Sequence, residues 1–246
     1  MATPLTIHHL QEVGSTQHEA RVLCESPGGV PLLLVADRQA SGRGRDGHSW
    51  LTAPRALACS LAVAPAWRTP DWSTIPLLAG LAARNVLREK SGVETGLKWP
   101  NDLMVEAGKV GGILVEASGE LVVVGLGVNL WWPDAPGGIA AIHEDDPGPD
   151  VAAVLAEAWA QRVLANLGRE PRAWGLDEYR AACETLGKAV TWEPGGRGTA
   201  VDIASDGGLV VETPSGRLTL RSGEVHAVRT TTLAAEPPDT AGGTAE

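Results

Sequence analysis

The sequence LKWPNDLMVEAGKVGGILVEASGELVVVGLGVNL, residues 97–130, decides the fold of this chain. Its beginning is predicted as a strand that ends in a tight turn, because Pro100 and the following Asn-Asp pair interrupt any helix. Two largely apolar runs follow, residues 110–116 and 121–130, and a short turn at Ser118-Gly119 joins them. This arrangement predicts a β-hairpin.

Upstream of the hairpin, buried strands and helices are predicted to alternate. Residues 30–36 and 57–64 are continuous apolar runs, which are typical of buried strands. Residues 69–90 carry apolar side chains at helical spacing. A shorter helix begins near Thr16, which with Glu19 has the spacing of a capping box. The hydroxyls and amides of this helix start could instead bind a polar ligand group, but the spacing alone favours the cap.

Downstream of the hairpin, the chain becomes polar and then strand-rich. Residues 133–150 are a connector rich in proline and glycine, and its acidic run is predicted to be solvated. Residues 151–167 and 172–186 are predicted helices, with a weak point at Gly175. Short alternating runs separated by glycine turns then predict a small β-barrel or sandwich. They are residues 189–193, 198–203, 209–212 and 217–220.

The length of 246 residues allows one large domain and a small one. We expect an α+β catalytic domain over residues 1–186, in which a mixed sheet packs against helices. A small C-terminal β-barrel is expected over residues 187–229, and a disordered tail over residues 230–246.

Charge and cysteine usage exclude several functional classes. The formal charge is −10 and no basic run occurs, which argues against a protein that depends on nucleic-acid binding. The chain has an odd number of cysteines, Cys24, Cys59 and Cys183, and no CxxC spacing. This argues against a disulfide scaffold and against a zinc site. No residue is assigned as a metal ligand. Because the sequence shows no signal peptide and no 18-residue apolar span, we expect a cytoplasmic location.

Residues 39–50, QASGRGRDGHSW, combine three glycines, two arginines and Trp50 in one short loop. Glycine allows close approach to a ligand, and arginine offers a planar fork of donors, so the loop is predicted to close over a flat anion. The same composition is also typical of solvated turns. The Gly42-x-Gly44-x-x-Gly47 spacing matches the dinucleotide-binding fingerprint, but Pro54 and the missing downstream carboxylate exclude that interpretation.

Two lysines add further positive charge. Lys98 precedes Trp99-Pro100, and Lys109 directly precedes an apolar strand that begins with paired glycines. A lone surface lysine is usually solvated, but together with Arg43 and Arg45 these residues predict a pocket with up to four cations. Since no nucleophile motif is present, such a pocket favours holding a carboxylate next to the α-phosphate of ATP while excluding water.

Five motifs, in order and spacing from about residue 10 to residue 130, resemble those of biotin–protein ligases. They are Gly14-Ser15-Thr16-Gln17, Gln39 with the 42–47 glycine and arginine run and Trp50, KWPNDL at 98–103, KVGGILVE at 109–116, and GLGVN at 125–129. The pair KWPNDL and KxGGILVE is the most specific. The resemblance implies a catalytic domain like those of class II aminoacyl-tRNA synthetases and biotinyl ligases, followed by a small SH3-like barrel.

The resemblance implies a two-step reaction. Biotin and ATP with Mg²⁺ give biotinyl-5′-AMP and pyrophosphate, and the biotinyl group then passes to a lysine in the biotin carboxyl carrier domain of acetyl-CoA carboxylase or a related carboxylase. Lys109, Arg43 and Arg45 are the implied catalytic residues, with Lys109 as the main one. The implied biotin site is Ser15, Thr16, Gln17, Gln39, Arg43, Gly44, Arg45, Lys109, Gly112 and Gly125. The implied nucleotide site is Arg43, Arg45, Trp50, Lys98 and Asn101, with Trp50 on the adenine.

The chain departs from the family pattern in two places. His48 stands where many members have arginine, which predicts weaker or pH-dependent retention of the adenylate, and the turn after Trp50 lacks the usual glycine. Only about a dozen residues precede the first motif, so we expect no DNA-binding helix-turn-helix and no repressor activity. Related enzymes pair through the catalytic-domain sheet, so a homodimer is one expected oligomeric state.

Two other functions remain open. A lipoyl or octanoyl ligase shares a similar fold and acyl-adenylate chemistry, but the GRGRxG…W and KWPND motifs favour biotin. A non-catalytic sensor of biotin or a nucleotide is the alternative from another class. The presence of Lys109, Arg43 and Arg45 favours an enzyme.

Overall fold

The computed structural model describes residues 4–24, 29–45, 50–221 and 226–231. His48, with Asp46, Gly47 and Ser49, lies outside the described residues, as does the predicted tail from residue 232 onward. The prediction for His48 therefore stays a prediction.

Seven strands form the main sheet, in the order β1-β2-β3-β7-β6-β5-β4. The strands are β1 (Thr6–Val13), β2 (Leu32–Gln39), β3 (Arg55–Val63), β4 (Gly96–Lys98), β5 (Asp102–Val105), β6 (Gly108–Ser118) and β7 (Leu121–Trp131). Among these strands the β1–β2 pair is parallel, and the other neighbours are antiparallel. The predicted hairpin is the β6–β7 pair, and the predicted mixed sheet of an α+β fold is confirmed.

Four α-helices flank this sheet. They are α1 (Thr16–Leu23), α2 (Ile75–Ser91), α3 (Asp150–Leu167) and α4 (Leu176–Ala182). The predicted helix over 69–90 begins as a separate 3₁₀ turn, Thr69–Thr74, because Pro76 has no N–H to donate back into that turn. The predicted helix over 172–186 is shortened to α4, since Gly175 takes a left-handed conformation with φ of 102° directly before it. No helix in the described part of the chain is long and apolar enough to cross a membrane.

The two faces of the main sheet have different roles. Successive side chains of a strand point to opposite faces. In β3, Leu57, Cys59 and Leu61 enter the main core, against which α2 and α3 pack. Ser60 points to the other face, where it meets the residues that begin α1. The α1 face is therefore the one on which a ligand cavity can form.

A second, five-stranded antiparallel sheet follows, in the order β11-β10-β9-β8-β12. Its strands are β8 (Ala189–Glu193), β9 (Gly196–Ile203), β10 (Leu209–Thr213), β11 (Gly216–Leu220) and β12 (His226–Thr231). The predicted small SH3-like barrel is confirmed, with β12 as a strand that the sequence pattern did not predict. Trp99 attaches this sheet to the main domain, because its buried indole Nε1 donates to the Gly207 carbonyl oxygen at 2.9 Å.

Candidate functional site

A cavity of about 570 Å³ opens on the α1 face of the main sheet. The structure brings every site residue that the sequence predicted to its wall. These residues are Ser15, Thr16, Gln17, Gln39, Arg43, Gly44, Arg45, Trp50, Lys98, Asn101, Lys109, Gly112 and Gly125. The wall also includes Cys59, Ser60, Trp99, Pro100, Asp102, Ile113, Leu114, Leu126, Gly127 and Glu193, none of which was predicted as a site residue.

Glycines form the floor of this cavity. Gly127 of β7 pairs with Gly112 of β6, and Gly125 lies two residues before Gly127 on the same strand. A Cβ on Gly125 would lie 2.7 Å from Gln17 Oε1, and a Cβ on Gly127 would lie 2.9 Å from the Trp50 ring. The floor thus has no room for side chains at these two positions.

One end of the cavity is a network of polar side chains, which we call the polar end: Thr16, Gln17 and Ser60, which are buried, and Gln39, which is partly exposed. The Thr16 backbone N–H and hydroxyl both donate to Gln39 Oε1, at 2.9 and 3.1 Å. Ser60 Oγ lies 2.9 Å from Thr16 Oγ1 and 3.0 Å from Gln17 Oε1. Gln17 Nε2 donates to the Val123 carbonyl oxygen at 2.9 Å. These bonds fix the side chains before any ligand arrives.

The capping-box interpretation of Thr16 is wrong. Ser15 is the N-cap residue of α1, and no side chain caps this helix. The Thr16 hydroxyl bonds to Gln39 on β2 instead, which places it in the ligand cavity. Spacing along one helix could not predict a partner 23 residues away.

Ser60 is the polar-end residue that sequence reasoning missed. The run 57–64 reads as a buried apolar strand, and Ser60 is its only hydroxyl. Ser60 is fully buried, with 0% of its surface exposed. A lone polar side chain inside a buried strand needs hydrogen-bond partners, and this requirement was the available signal.

The opposite end carries the positive charge, and we call it the cationic end: Arg43, Arg45, Lys98 and Lys109. Lys109 Nζ lies 2.5 Å from Asp102 Oδ1 and 5.6 Å from the centre of the Trp50 ring. The Lys109 side chain remains 34% exposed. Asp102 was not predicted as a site residue, although it belongs to the KWPND motif. The pair holds the lysine ammonium at the cavity wall within reach of an incoming anion.

The KWPN residues divide their contacts between the cavity and the rest of the protein. Lys98 and Asn101 line the cavity, whereas the side chain of Trp99 is almost wholly buried and bonds to the barrel. Asn101 Nδ2 donates to the Ile113 carbonyl oxygen at 2.9 Å. The Asn101 carbonyl oxygen accepts from the Ile113 N–H at 2.8 Å. Asn101 therefore ties the turn to β6, in addition to any contact with a nucleotide.

The glycine and arginine loop is closed at its base. The Trp50 N–H donates to the Gly42 carbonyl oxygen at 2.9 Å, and a Cβ on Gly42 would lie only 3.1 Å from Trp50 Cβ. The loop returns to the sheet at Arg55, which donates two hydrogen bonds to Asp146, at 2.8 and 2.9 Å. These bonds and the Gly148 N–H lower the pKa of Asp146 to about 2. Asp146 is exposed, in line with the predicted solvated acidic run, but it also has a specific partner in Arg55.

Cys59 borders the cavity but offers no nucleophile. Complete burial raises the pKa of its thiol far above the ordinary range. The thiol therefore stays protonated, and the cationic end has no cysteine thiolate beside it.

Comparison with known proteins gives consistent matches along the chain. Residues 23–129 match the Biotin/lipoate A/B protein ligase family, and residues 185–226 match the Biotin protein ligase C terminal domain. The chain is 32% identical to a biotin–[acetyl-CoA-carboxylase] ligase of Mycobacterium tuberculosis, across 89% of this chain and 87% of that protein. It is 31% identical to the enzyme of the same name from Paracoccus denitrificans, across 88% of this chain and 98% of that protein.

A solved structure shares the fold. The biotin protein ligase from Aquifex aeolicus in complex with biotin and ATP superimposes with a TM-score of 0.79 and 27% identity. The match covers 92% of this chain and 99% of that chain. The similarity therefore includes both the main sheet and the C-terminal barrel.

Proposed function

The chain belongs to the biotin protein ligase family, and we propose that its cavity holds biotin at the polar end and ATP at the cationic end. It is an ATP-dependent ligase that activates biotin to biotinyl-5′-AMP and transfers the biotinyl group to a carrier lysine. The single observation that carries the residue assignment is the shared glycine floor, which joins a fixed polar network to four cations in one cavity.

The reaction sets the requirements for this cavity. A biotin carboxylate oxygen attacks the α-phosphorus of ATP, used as its Mg²⁺ complex, and the bond to pyrophosphate breaks. The amine of the acceptor lysine then attacks the acyl carbon, an amide bond forms, and AMP leaves with the electrons of the broken mixed-anhydride bond. Both steps need two reactants held in contact and negative charge neutralised, and neither needs a nucleophile from the enzyme.

The polar end suits the ring system of biotin. Biotin carries a urea group that both donates and accepts hydrogen bonds, joined to an apolar chain that ends in a carboxylate. Thr16, Gln39 and Ser60 offer fixed polar atoms for the urea. Because these side chains are already ordered by bonds to each other, binding costs little side-chain entropy. Because Gly112 and Gly125 have no side chains, the cavity beside Leu114 has room for the apolar chain of biotin.

The cationic end suits the phosphates. In our proposal Lys109 contacts the biotin carboxylate and the α-phosphate, and it stabilises the charge that develops as they join. Arg43 and Arg45 close over the same anion from the loop, while Lys98 and Asn101 serve the nucleotide. Trp50 lies beside Lys109 at the base of that loop, which supports its assignment to the adenine ring.

Several finer statements complete the proposal. The protein partner is the biotin carrier of a carboxylase. We place the domain boundary at residue 187, and we propose a cytoplasmic protein, which the three free cysteines support. The net charge of −10 supports partners other than DNA. A homodimer through the sheet is supported by the free edge of β1, where Ile7 and Leu10 are 45% and 37% exposed.

The test is acyl-adenylate formation with two competing acids. The protein is incubated with MgATP and either biotin or lipoate, with and without a biotin carrier domain, and the products are identified by mass spectrometry. We expect biotinyl-AMP, pyrophosphate and a biotinylated carrier from biotin, and no lipoyl product. A lipoyl product without a biotinyl one would contradict the assignment of the polar end. No product from either acid would favour a sensor.

A further inference from the structure

Residues 183–188 form a linker that joins α4 to the first strand of the barrel, and its beginning lies along the edge of the main sheet. The edge strand there is β4, which pairs with β5 on its other side. Cys183 forms a parallel bridge with Leu97 of β4, and the Glu184 N–H donates to the Leu97 carbonyl oxygen at 2.8 Å. The linker thus covers the strand that leads into the KWPN turn, residues 98–101.

Thr185 makes the next contact along this edge. Its hydroxyl oxygen accepts a hydrogen bond from the Trp99 backbone N–H at 2.9 Å. Thr185 is fully buried, with 0% of its surface exposed. A backbone N–H buried at this depth needs an acceptor from the protein. The bonds at Leu97 and Trp99 are two residues apart, so together they hold the main chain of Lys98 between them.

The barrel holds the same turn from a second direction. The indole Nε1 of Trp99 donates to the Gly207 carbonyl oxygen at 2.9 Å. The linker is itself bonded to the barrel. The Gly187 N–H donates to the Ala200 carbonyl oxygen at 2.8 Å, and the Ala200 N–H donates to the Lys188 carbonyl oxygen at 3.0 Å. Linker and barrel therefore form one support for the KWPN turn.

The opposite side of the turn faces the cavity. Lys98 and Asn101 are part of the cavity wall, whereas Thr185 is not. The Asn101 carbonyl oxygen accepts from the Ile113 N–H of β6 at 2.8 Å. Because the turn has main-chain bonds on both sides, its place in the wall depends on the linker as well as on β6.

We propose that Thr185 is a positioning residue for the nucleotide, because its hydroxyl fixes the main chain of Trp99 and with it Lys98 and Asn101. The proposal rests on the proposed nucleotide role of those two wall residues. It assigns to Thr185 an effect on the use of ATP and none on biotin binding, since the polar end is built from other elements, α1, β2 and β3.

Thr185→Val tests this, because valine has nearly the same shape as threonine and no acceptor. Thr185→Ser keeps the hydroxyl and should restore the parental behaviour. Thr95→Val is the matched control. Thr95 directly precedes β4, is also buried, at 3% exposure, and its hydroxyl has no partner among the described residues. Should Thr185→Val fail to fold in a thermal melt, Thr185→Ala removes the same acceptor with a smaller side chain.

Two quantities are measured: the KM for ATP at saturating biotin and carrier domain, from pyrophosphate release, and the biotin Kd. We expect Thr185→Val to raise the KM for ATP about 3- to 10-fold, because a buried amide without an acceptor displaces the turn, with the biotin Kd within about 2-fold of the parent. Thr185→Ser and Thr95→Val should change neither quantity. An unchanged KM in Thr185→Val, or an equal rise in Thr95→Val or Thr185→Ser, would overturn the proposal.

Hydrogen exchange gives a readout that does not depend on activity. Thr185→Val should speed exchange at the Trp99 amide and also at the Ile113 amide, which bonds to Asn101 on the far side of the turn. Thr95→Val should speed neither. Faster exchange at Trp99 alone would mean that the turn keeps its place, and this would overturn the proposal. Failure of the nucleotide role itself is separable, because Lys98→Ala would then leave the KM for ATP unchanged.

Discussion

The two ends of the cavity are built differently. At the polar end, Thr16, Gln17 and Ser60 are at most 4% exposed and bond to one another. At the cationic end, Arg43 is exposed, and Lys109 is one-third exposed and pairs with Asp102. The difference separates recognition from chemistry. In our proposal the rigid polar end selects the ligand, and the more exposed cations supply positive charge to the transition state.

Gly125 and Gly127 allow this comparison to be tested, because they lie two residues apart on β7 and serve opposite ends. Gly125 faces Gln17, and Gly127 faces Trp50. The same substitution at the two positions should therefore affect different ligands.

Gly125→Val should have the larger effect. Its Cβ would lie 2.7 Å from Gln17 Oε1, so the side chain must displace the polar network and fill the biotin channel. We expect the biotin Kd to rise by more than about 100-fold, or about 2.7 kcal/mol, in isothermal titration calorimetry. Gly80→Ala is the control, because its Cβ meets only ordinary contacts at 3.7 Å or more in α2. Unchanged biotin affinity in Gly125→Val would place biotin elsewhere.

Gly127→Val should have a smaller effect on a different ligand. The added side chain displaces the Trp50 ring, whose nearest atom would lie 2.9 Å from the new Cβ. We expect the KM for ATP to rise about 10-fold, since an aromatic contact of this kind contributes about 1–2 kcal/mol, with little change in the biotin Kd. Steady-state kinetics with each substrate varied in turn gives both values. A loss confined to biotin would reverse our assignment of the two ends.

Much of this architecture could be predicted from local sequence patterns. Two apolar runs joined by a short turn within residues 110–130 were enough to predict the hairpin, and β8 has the predicted bounds, Ala189–Glu193. Lys109 could be singled out because a lysine beside paired glycines needs an explanation. These features depend on residues close together in the chain, so spacing was enough to predict them.

The rest depends on partners that are distant in sequence. Ser60 bonds to Thr16, 44 residues away, and Arg55 bonds to Asp146, 91 residues away. Residues 136–146 read as a polar connector because their isolated bridges to β6 and β7 leave no strand pattern. Spacing within one element carries no information about such contacts, which is why the capping-box interpretation of Thr16 was wrong and the partner of Asp146 was missed.

The smallest predicted effect concerns the ion pair between Arg55 and Asp146 and its dependence on pH. Folding lowers the pKa of Asp146 from 3.8 to about 2, mainly through the hydrogen bonds from Arg55. A carboxyl with a lowered pKa stabilises the folded state above its unfolded pKa, so this contribution is present above about pH 4 and is lost as the pH falls toward about 2. Arg55→Gln should raise the pKa of Asp146 toward 3.8, which a carboxyl NMR titration of the variant measures.

Arg84→Gln is the control for that titration, because Arg84 pairs with Glu94 and not with Asp146. It should leave the pKa of Asp146 low. Neither variant should change the biotin Kd, since Arg55 and Arg84 do not line the cavity. An Asp146 pKa that stays low without Arg55 would mean that another group lowers it.

Lys109→Ala tests most directly whether the polar end recognises biotin while the cationic end supports the chemistry. The biotin Kd and the single-turnover rate of biotinyl-AMP formation are measured on the same preparation. Removal of the ammonium at the cationic end should slow formation by at least about 10²-fold, the usual cost of losing one charge-stabilising group. The biotin Kd should rise by no more than about 10-fold, because only the contact with the biotin carboxylate is lost and the polar end is unchanged. Adenylate formation at the parental rate would contradict the account.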